Sequence, residues 1–287
     1  MAKIFLSVPI LDRPELKMIF SMYQAIQSCR EHQVRLYFNE NDSLISRVRN
    51  VHMSVFLNEY PDFDYFMSLD SDIESINCYP TNNIITKLVS HNLDFVGGLY
   101  ALKQVGPPRC SSVAVDKTSD IKFNSGLKEM LWLSTGCWCI KRSAVEKMVK
   151  AYPELEYDGD DNMSGKKVHG LYIPFIADLE DNGIKFKKYL SEDWSFCRRW
   201  RDIGGKIYAD TSIVLAHHGK IPYMLWNVEV VAKKRNVMPD AIPSLPPSVP
   251  TIPDAPNPFA DSIAKIKGIP NPSGQDLPPV GFDLLKT

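Results

Sequence analysis

Between Lys3 and Tyr100, apolar runs of strand length alternate with segments whose apolar residues recur at helical spacing, and few folds accommodate that alternation. Lys3 to Pro9 opens as a strand, and Asp12 to Pro14 is a turn that starts a helix with Pro near its first position. Leu16, Ile19, Phe20, Tyr23 and Ile26 carry that helix to Ser28 as its apolar face. Val34 to Phe38 alternates as a second strand and stops at the polar Asn39-Glu40-Asn41-Asp42. A second helix is expected from about Leu44 to Glu59, with Leu44, Val48, Val51, Val55 and Phe56 on one face. Tyr65 to Leu69 is a third strand, Thr81 to His91 a third helix, and Asp94 to Tyr100 a fourth strand broken by Gly97-Gly98. Strands separated by helices pair in parallel through right-handed crossovers. The expected fold class is therefore α/β, a Rossmann-like, mixed but mostly parallel sheet flanked by helices. No Gly-x-Gly-x-x-Gly is present, so a nucleotide would bind without the dinucleotide fingerprint.

The third strand runs into Asp70-Ser71-Asp72. Residues two apart on an extended strand point the same way, so both carboxylates converge on one point. Converging carboxylates repel unless a cation lies between them, and a hard divalent ion is the usual answer. Strand tips are also where open α/β sheets bind ligands.

Farther along, the pattern from Gln104 to Gly170 is less regular. Met130 to Cys139 reads as one apolar strand and Lys141 to Tyr152 as a helix. Asp158 to Gly165 is acid-rich but lacks the final Glu and flanking helices of an EF-hand, so a mobile solvated loop is expected. Ser191 then reads as an N-cap, with Glu192 and Asp193 in the first turn, where the helix dipole favours negative charge. Phe196, Trp200 and Ile203 share a face of that helix, and Gly204-Gly205 ends it. On helix physics alone, the two acids need only stabilise the helix start. Lys206 to Leu215 is another strand-like run, delivering Ala216-His217-His218-Gly219-Lys220. A His at a strand mouth is a better ligand candidate than one inside a core.

Composition removes several function classes. The 287 residues suffice for one large domain or two small ones, and 44% hydrophobic content supports a substantial core. A net charge of -1 gives no electrostatic reason to expect nucleic acid or anionic membrane as a partner. No apolar run spans a bilayer and the N-terminus lacks a signal-peptide pattern, so a soluble cytoplasmic protein is expected. The six cysteines form no C-x-x-C pair and read as free thiols. From Met238 onward proline dominates. The expected organisation is a domain over 1–237 and an extended arm over 238–287 that wraps on the surface or reaches another subunit or protein.

The order of Asp70-Ser71-Asp72, Ser191-Glu192-Asp193 heading an amphipathic helix, and His217-x-Gly219 resembles a GT-A-fold glycosyltransferase. Ser46-Arg47-Val48-Arg49-Asn50 similarly resembles the R-x-R-N-type segment of many such enzymes. The resemblance covers roughly residues 3 to 222. It implies a nucleotide-sugar-binding half over 1–103 and an acceptor and catalytic half over 104–237. A nucleotide-diphosphate sugar, UDP-linked by the family's habit, would lie across the ends of the first strands. Pro9, Asn39 and Glu40 would then sit at base and ribose, with Ser71 and Gly136 beside the donor. Asp70, Asp72 and His217 would form the site of Mn²⁺, or Mg²⁺ less naturally: Asp72 as direct ligand, Asp70 towards ribose or a metal-bound water, and His217 completing the protein ligands, with His218 the runner-up. Arg47, Arg49 and Lys220 would add positive charge, although Arg49 has the alternative of merely solvating a helix face. Asp193 would act as general base on the acceptor hydroxyl of a glycan, protein or other molecule, with inversion, and Glu192 would orient the acceptor. Trp132, Trp138 and Trp194 would either stack on sugars or serve the core, and Asp158 to Gly165 would form a lid. The alternatives are a retaining enzyme of the same fold, a catalytically silent sugar-nucleotide-binding protein, and a D-x-D phosphatase. The phosphatase would use Asp70 as nucleophile and expects Thr or Val where Glu74 stands.

Overall fold

A computed structural model of the chain describes residues 1–39, 42–76, 83–118, 120–160, 163–181 and 183–226. Glu40, Cys78, Thr81 and the proline-rich segment lie outside the described residues. The first hundred residues supply β1 (Lys3–Val8), α1 (Leu16–Ser28), β2 (Gln33–Phe38), α2 (Ile45–Glu59), β3 (Tyr65–Leu69), β4 (Ile73–Ser75), α3 (Ile84–Ser90) and β5 (Phe95–Gly97). Then come β6 (Val113–Ala114), β7 (Leu127–Trp132), β8 (Cys137–Lys141), α4 (Arg142–Ala151), β9 (Glu156–Asp158), β10 (Lys167–His169), β11 (Phe175–Asp181) and β12 (Ile184–Leu190). The last elements are α5 (Glu192–Asp202), β13 (Ile207–Asp210), β14 (Leu215–His218) and β15 (Pro222–Met224).

Eight strands form the central sheet in the order β2-β1-β3-β8-β5-β13-β7-β6. β1 is parallel to β2 and β3, and β5 is parallel to β13. β8 lies antiparallel between β3 and β5, and β7 lies antiparallel between β13 and β6. All strands but β7 and β8 therefore run one way, which is the mixed, mostly parallel α/β architecture expected of a GT-A-like fold. A separate small sheet, β15-β14-β4, carries the continuation of the β3 strand past the aspartates.

Two apolar layers hold the sheet. Ile4, Leu6 and Val8 of β1 and Met67 and Leu69 of β3 pack with α1 and α3. Phe5 and Phe66, on the opposite side of the same strands, pack with Phe56, Trp138 and Phe196. Towards the carboxyl ends of β1 and β3 this second layer turns polar. Ser7 and Ser68 face each other in register and take the α2 side chains His52 and Arg49.

Several expectations required correction. In α1, Leu16, Phe20 and Tyr23 are exposed, and the buried stripe is Met18, Ser21 and Ala25. Small residues let the helix lie close to its neighbours: Ser21 Oγ accepts the Ser75 N–H at 3.2 Å, and the Ala25 carbonyl accepts from Asn83 Nδ2 at 2.5 Å. Leu44 is likewise exposed, while Ser46, Arg49, Asn50, His52 and Ser54 of α2 are buried. Those polar groups satisfy backbone of distant segments: Asn50 Oδ1 accepts from Tyr172 N at 2.8 Å and Ser54 Oγ from His169 N at 2.9 Å. The Met130 to Cys139 run is two strands, β7 and β8, placed apart in the sheet. The Lys206 to Leu215 run is also two, divided at a turn around Thr211. The β11–β12 hairpin left no signal in the apolar pattern, because most of its residues are exposed and neither face demands alternation.

His52 carries a pH-dependent part of the stability. Its Nδ1 lies 2.7 Å from Ser7 Oγ, its Nε2 has no partner among the described residues, and burial first, then the nearby Arg49 charge, pushes its pKa down to about 3. The unfolded chain therefore takes up the proton first, and stability falls as pH drops from about 6.5 towards 3. Urea midpoints are expected to decline over that interval, and less steeply in His52→Gln, which keeps a polar side chain but does not titrate.

Candidate active site

The cleft sits where β1, β3 and the start of α2 converge. It encloses about 230 Å³ and is lined by Pro9 to Leu11, Asp42, Ser43, Arg49 and Asp70 to Asp72. The Asp70-Ser71-Asp72 turn is tied down by its backbone. Asp70 N–H donates to the Gly136 carbonyl at 3.1 Å, Ser71 O accepts from Glu15 N at 2.8 Å, and Asp72 O accepts from His218 N at 2.8 Å.

Arg49 is the hinge of the electrostatics. It is only 5% exposed, which corrects the reading that it solvates a helix face. One terminal nitrogen donates to Asp70 Oδ1 at 2.8 Å and the other to Ser68 Oγ at 3.3 Å, while Nε lies 3.8 Å from Glu192 Oε1. Burial opposes the guanidinium charge, but Asp70 and Glu192 outweigh it and keep the pKa raised. Breaking a buried ion pair by removing one partner strands the other. Arg49→Met is expected to cost about 3 kcal/mol, read from urea unfolding at neutral pH.

Glu192 and Asp193 open α5 on the far side of Arg49. Ser191 stands at the N-cap, but its hydroxyl donates to Asp193 Oδ1 instead of capping the helix. The same oxygen accepts the Trp194 N–H at 2.8 Å. Burial raises the Asp193 pKa, with Asp70 adding to it and Ser191, Trp194 N–H and Arg49 opposing. Burial likewise raises Glu192, which Arg49 partly offsets.

Asp72 faces a different set of groups. Lys103 Nζ lies 2.5 Å from Asp72 Oδ2, and His217 Nε2 lies 3.4 Å from the same oxygen. Burial would raise the Asp72 pKa, yet these two partners hold it below the ordinary carboxylate value. His217 Nδ1 is 2.9 Å from the Ala101 carbonyl, which can only accept, so Nδ1 carries the proton. Nε2 is therefore the ring nitrogen that faces Asp72. His218 is committed elsewhere, to Glu74 Oε2 at 2.7 Å.

Of the three expected metal ligands, Asp72 and His217 meet, while Asp70 is engaged by Arg49. Among the described residues no group of three or more His, Cys, Asp and Glu side chains forms a cation site. Asp72 and His217 thus offer one carboxylate oxygen and one ring nitrogen facing each other at 3.4 Å.

The other expected contacts are distributed around this centre. Pro9 and Ser71 line the cleft. Asn39 exchanges two hydrogen bonds of 3.2 Å with the Ile10 backbone, shaping the cleft wall. Arg47 grips Asp42 with two bonds of 2.8 Å. Gly136 donates its N–H to Tyr100 Oη at 3.0 Å, and a Cβ there would lie 2.7 Å from the Tyr100 ring, so only glycine fits. Lys220 is exposed beyond β14 and does not line the cleft. Trp138 is fully buried and is a core residue. Trp132 and Trp194 stack on each other at 5.4 Å, with Lys188 Nζ 4.4 Å from the Trp194 ring. They border a second hollow of about 590 Å³ beside α5.

Lys103, Tyr100 and Ser68 were not anticipated. A single lysine in an irregular loop has no periodicity to reveal it; the only signal was that Leu99 to Ser112 follows a strand tip. No helix among the described residues is long and apolar enough to cross a membrane.

No protein-family model matches the chain, and no curated protein matches it significantly. Among solved structures, the chain is similar to A197 from STIV, with 18% identity and a TM-score of 0.47 over 76% of this chain and 86% of that one. It is also similar to a glycosyltransferase involved in the glycosylation of the major capsid of PBCV-1, with 14% identity and a TM-score of 0.32 over 53% of this chain and 67% of that one.

Proposed function

We propose that the chain is a metal-dependent glycosyltransferase that moves a sugar from a nucleotide-diphosphate sugar, expected to be UDP-linked, to an acceptor hydroxyl with inversion. The observation that carries this reading is the bridge through Arg49, 2.8 Å from Asp70 and 3.8 Å from Glu192. It joins two acidic motifs more than a hundred residues apart through one buried side chain that lines the cleft. Acids at a helix start that served the helix alone would have no reason to share a buried guanidinium with a strand-tip aspartate.

The chemistry follows from the surroundings of each acid. Asp193 Oδ1 is fixed by Ser191 and Trp194 N–H, which orients the carboxylate, and the raised pKa makes it a better proton acceptor than an ordinary aspartate. Bound between Asp72 and His217, a divalent cation would neutralise charge on the departing diphosphate. Arg49, which lines the cleft, places one buried positive charge between Asp70 and Glu192. Pro9 and the Asn39–Ile10 clasp form the wall against which the nucleoside would rest.

The test is incubation with a panel of nucleotide sugars and Mn²⁺, reading release of nucleoside diphosphate and the anomeric configuration of the product by NMR. An inverted product supports the full reading. A retained product removes Asp193 as base, and failure to bind any nucleotide sugar removes the reading altogether.

A further inference from the structure

Resting on that reading, we propose that Lys103 is a displaceable cation. It holds the place of the divalent ion on Asp72 in the resting protein and transfers its ammonium to the donor's diphosphate when metal and nucleotide arrive. One carboxylate oxygen is contested. Asp72 Oδ2 is 2.5 Å from Lys103 Nζ and also faces His217 Nε2 at 3.4 Å. A divalent ion ligated by that carboxylate oxygen and that ring nitrogen would have to share the oxygen with an ammonium already in contact. The two cations would compete for that one oxygen, at side chains that are each about a third exposed.

The lysine is built to leave. It stands in an exposed loop, 102–109, whose base is closed by Leu102 N–H donating to the Arg109 carbonyl at 2.7 Å. Apart from Asp72, no hydrogen bond or ion pair holds its ammonium among the described residues. Its methylene stem runs past Gly219, where an added Cβ would approach Lys103 Cδ to 3.2 Å. The glycine of the His217-x-Gly219 sequence therefore leaves the stem room. A flexible four-carbon arm anchored beside Asp72 keeps its charge within reach of any anion that the metal brings in. Lys103 thus serves twice: it keeps the Asp72 carboxylate neutralised before the donor binds, and it supplies diphosphate charge afterwards.

The experiment is Mn²⁺ binding to the full chain, followed through loss of the free-ion electron paramagnetic resonance signal. It uses wild type, Lys103→Met and Asp72→Asn, each with and without UDP. Without UDP, Lys103→Met is expected to bind Mn²⁺ about tenfold more tightly than wild type, because the competing ammonium is gone. With UDP the order is expected to reverse, because the variant lacks the phosphate contact. Equal Mn²⁺ affinity of wild type and Lys103→Met without UDP, with Asp72→Asn weakened, would overturn the role of Lys103 and leave the metal reading standing. Mn²⁺ binding that Asp72→Asn does not weaken, or no binding in any variant, would overturn both.

Discussion

Asp193→Asn is expected to lower kcat for sugar transfer by about 10²–10⁴-fold, the usual contribution of a positioned general base, while donor affinity stays unchanged. The substitution preserves shape and a hydrogen-bonding oxygen for the Ser191 hydroxyl and the Trp194 N–H, so the α5 start should hold its geometry. The pH profile is the sharper readout. A base works only when deprotonated, and the Asp193 pKa is raised by burial, so the wild-type rate falls as pH drops through that raised value. The acid limb should vanish in Asp193→Asn. It should persist in Glu192→Gln, even though Glu192 is also raised, because Glu192 is turned towards Arg49. A full transfer rate in Asp193→Asn would remove the base assignment.

The second large effect is expected at Asp72. Asp72→Asn should cut kcat/KM by about 10²–10³-fold, comparable to losing a main electrostatic contact to the leaving group, and should abolish the dependence of rate on Mn²⁺ concentration. Its cost in stability is expected to be small. The Asp72–Lys103 pair lies at the cleft mouth with both side chains about a third exposed, where ion pairs contribute little. A variant that keeps its melting temperature and loses its metal response separates function from folding. One that keeps its metal response contradicts the ligand role.

What the sequence revealed, and what it hid, follows from which forces leave a periodic trace. β3 was legible to the residue because a strand buried on both faces is a mostly apolar run, here broken only by Ser68 and ended by acids. The end of α5 was legible because Gly204 takes the left-handed conformation that stops a helix (φ 82°). The faces of α1 and α2 were not. Helical spacing of large apolar residues predicts burial, but α1 packs through Ser21 and Ala25, and α2 turns a polar face inward to serve Asp70, Tyr172 and His169. The acids at 70, 72, 192 and 193 stood out as motifs, whereas Lys103 reaches Asp72 from a loop that no pattern singles out. Chemistry carried by a constellation of types is readable from spacing; chemistry completed by one flexible side chain waits for three dimensions.

The position of β8 bears on how such a chain is born. β3 and β5 never touch: β8, some forty residues after β5, lies between them, with Met67 opposite Cys139 and Val96 opposite the same cysteine. A nascent chain emerging from the ribosome can pair β1 with β2 and β3, but it must keep the inner edge of β3 open until residue 141 is out. Until then the strand that bears the aspartates is an unpaired apolar edge, open to wrong partners. Vectorial synthesis thus delays the cleft until the middle of the chain is made, and slow codons or a chaperone would matter most in the stretch between β5 and β8.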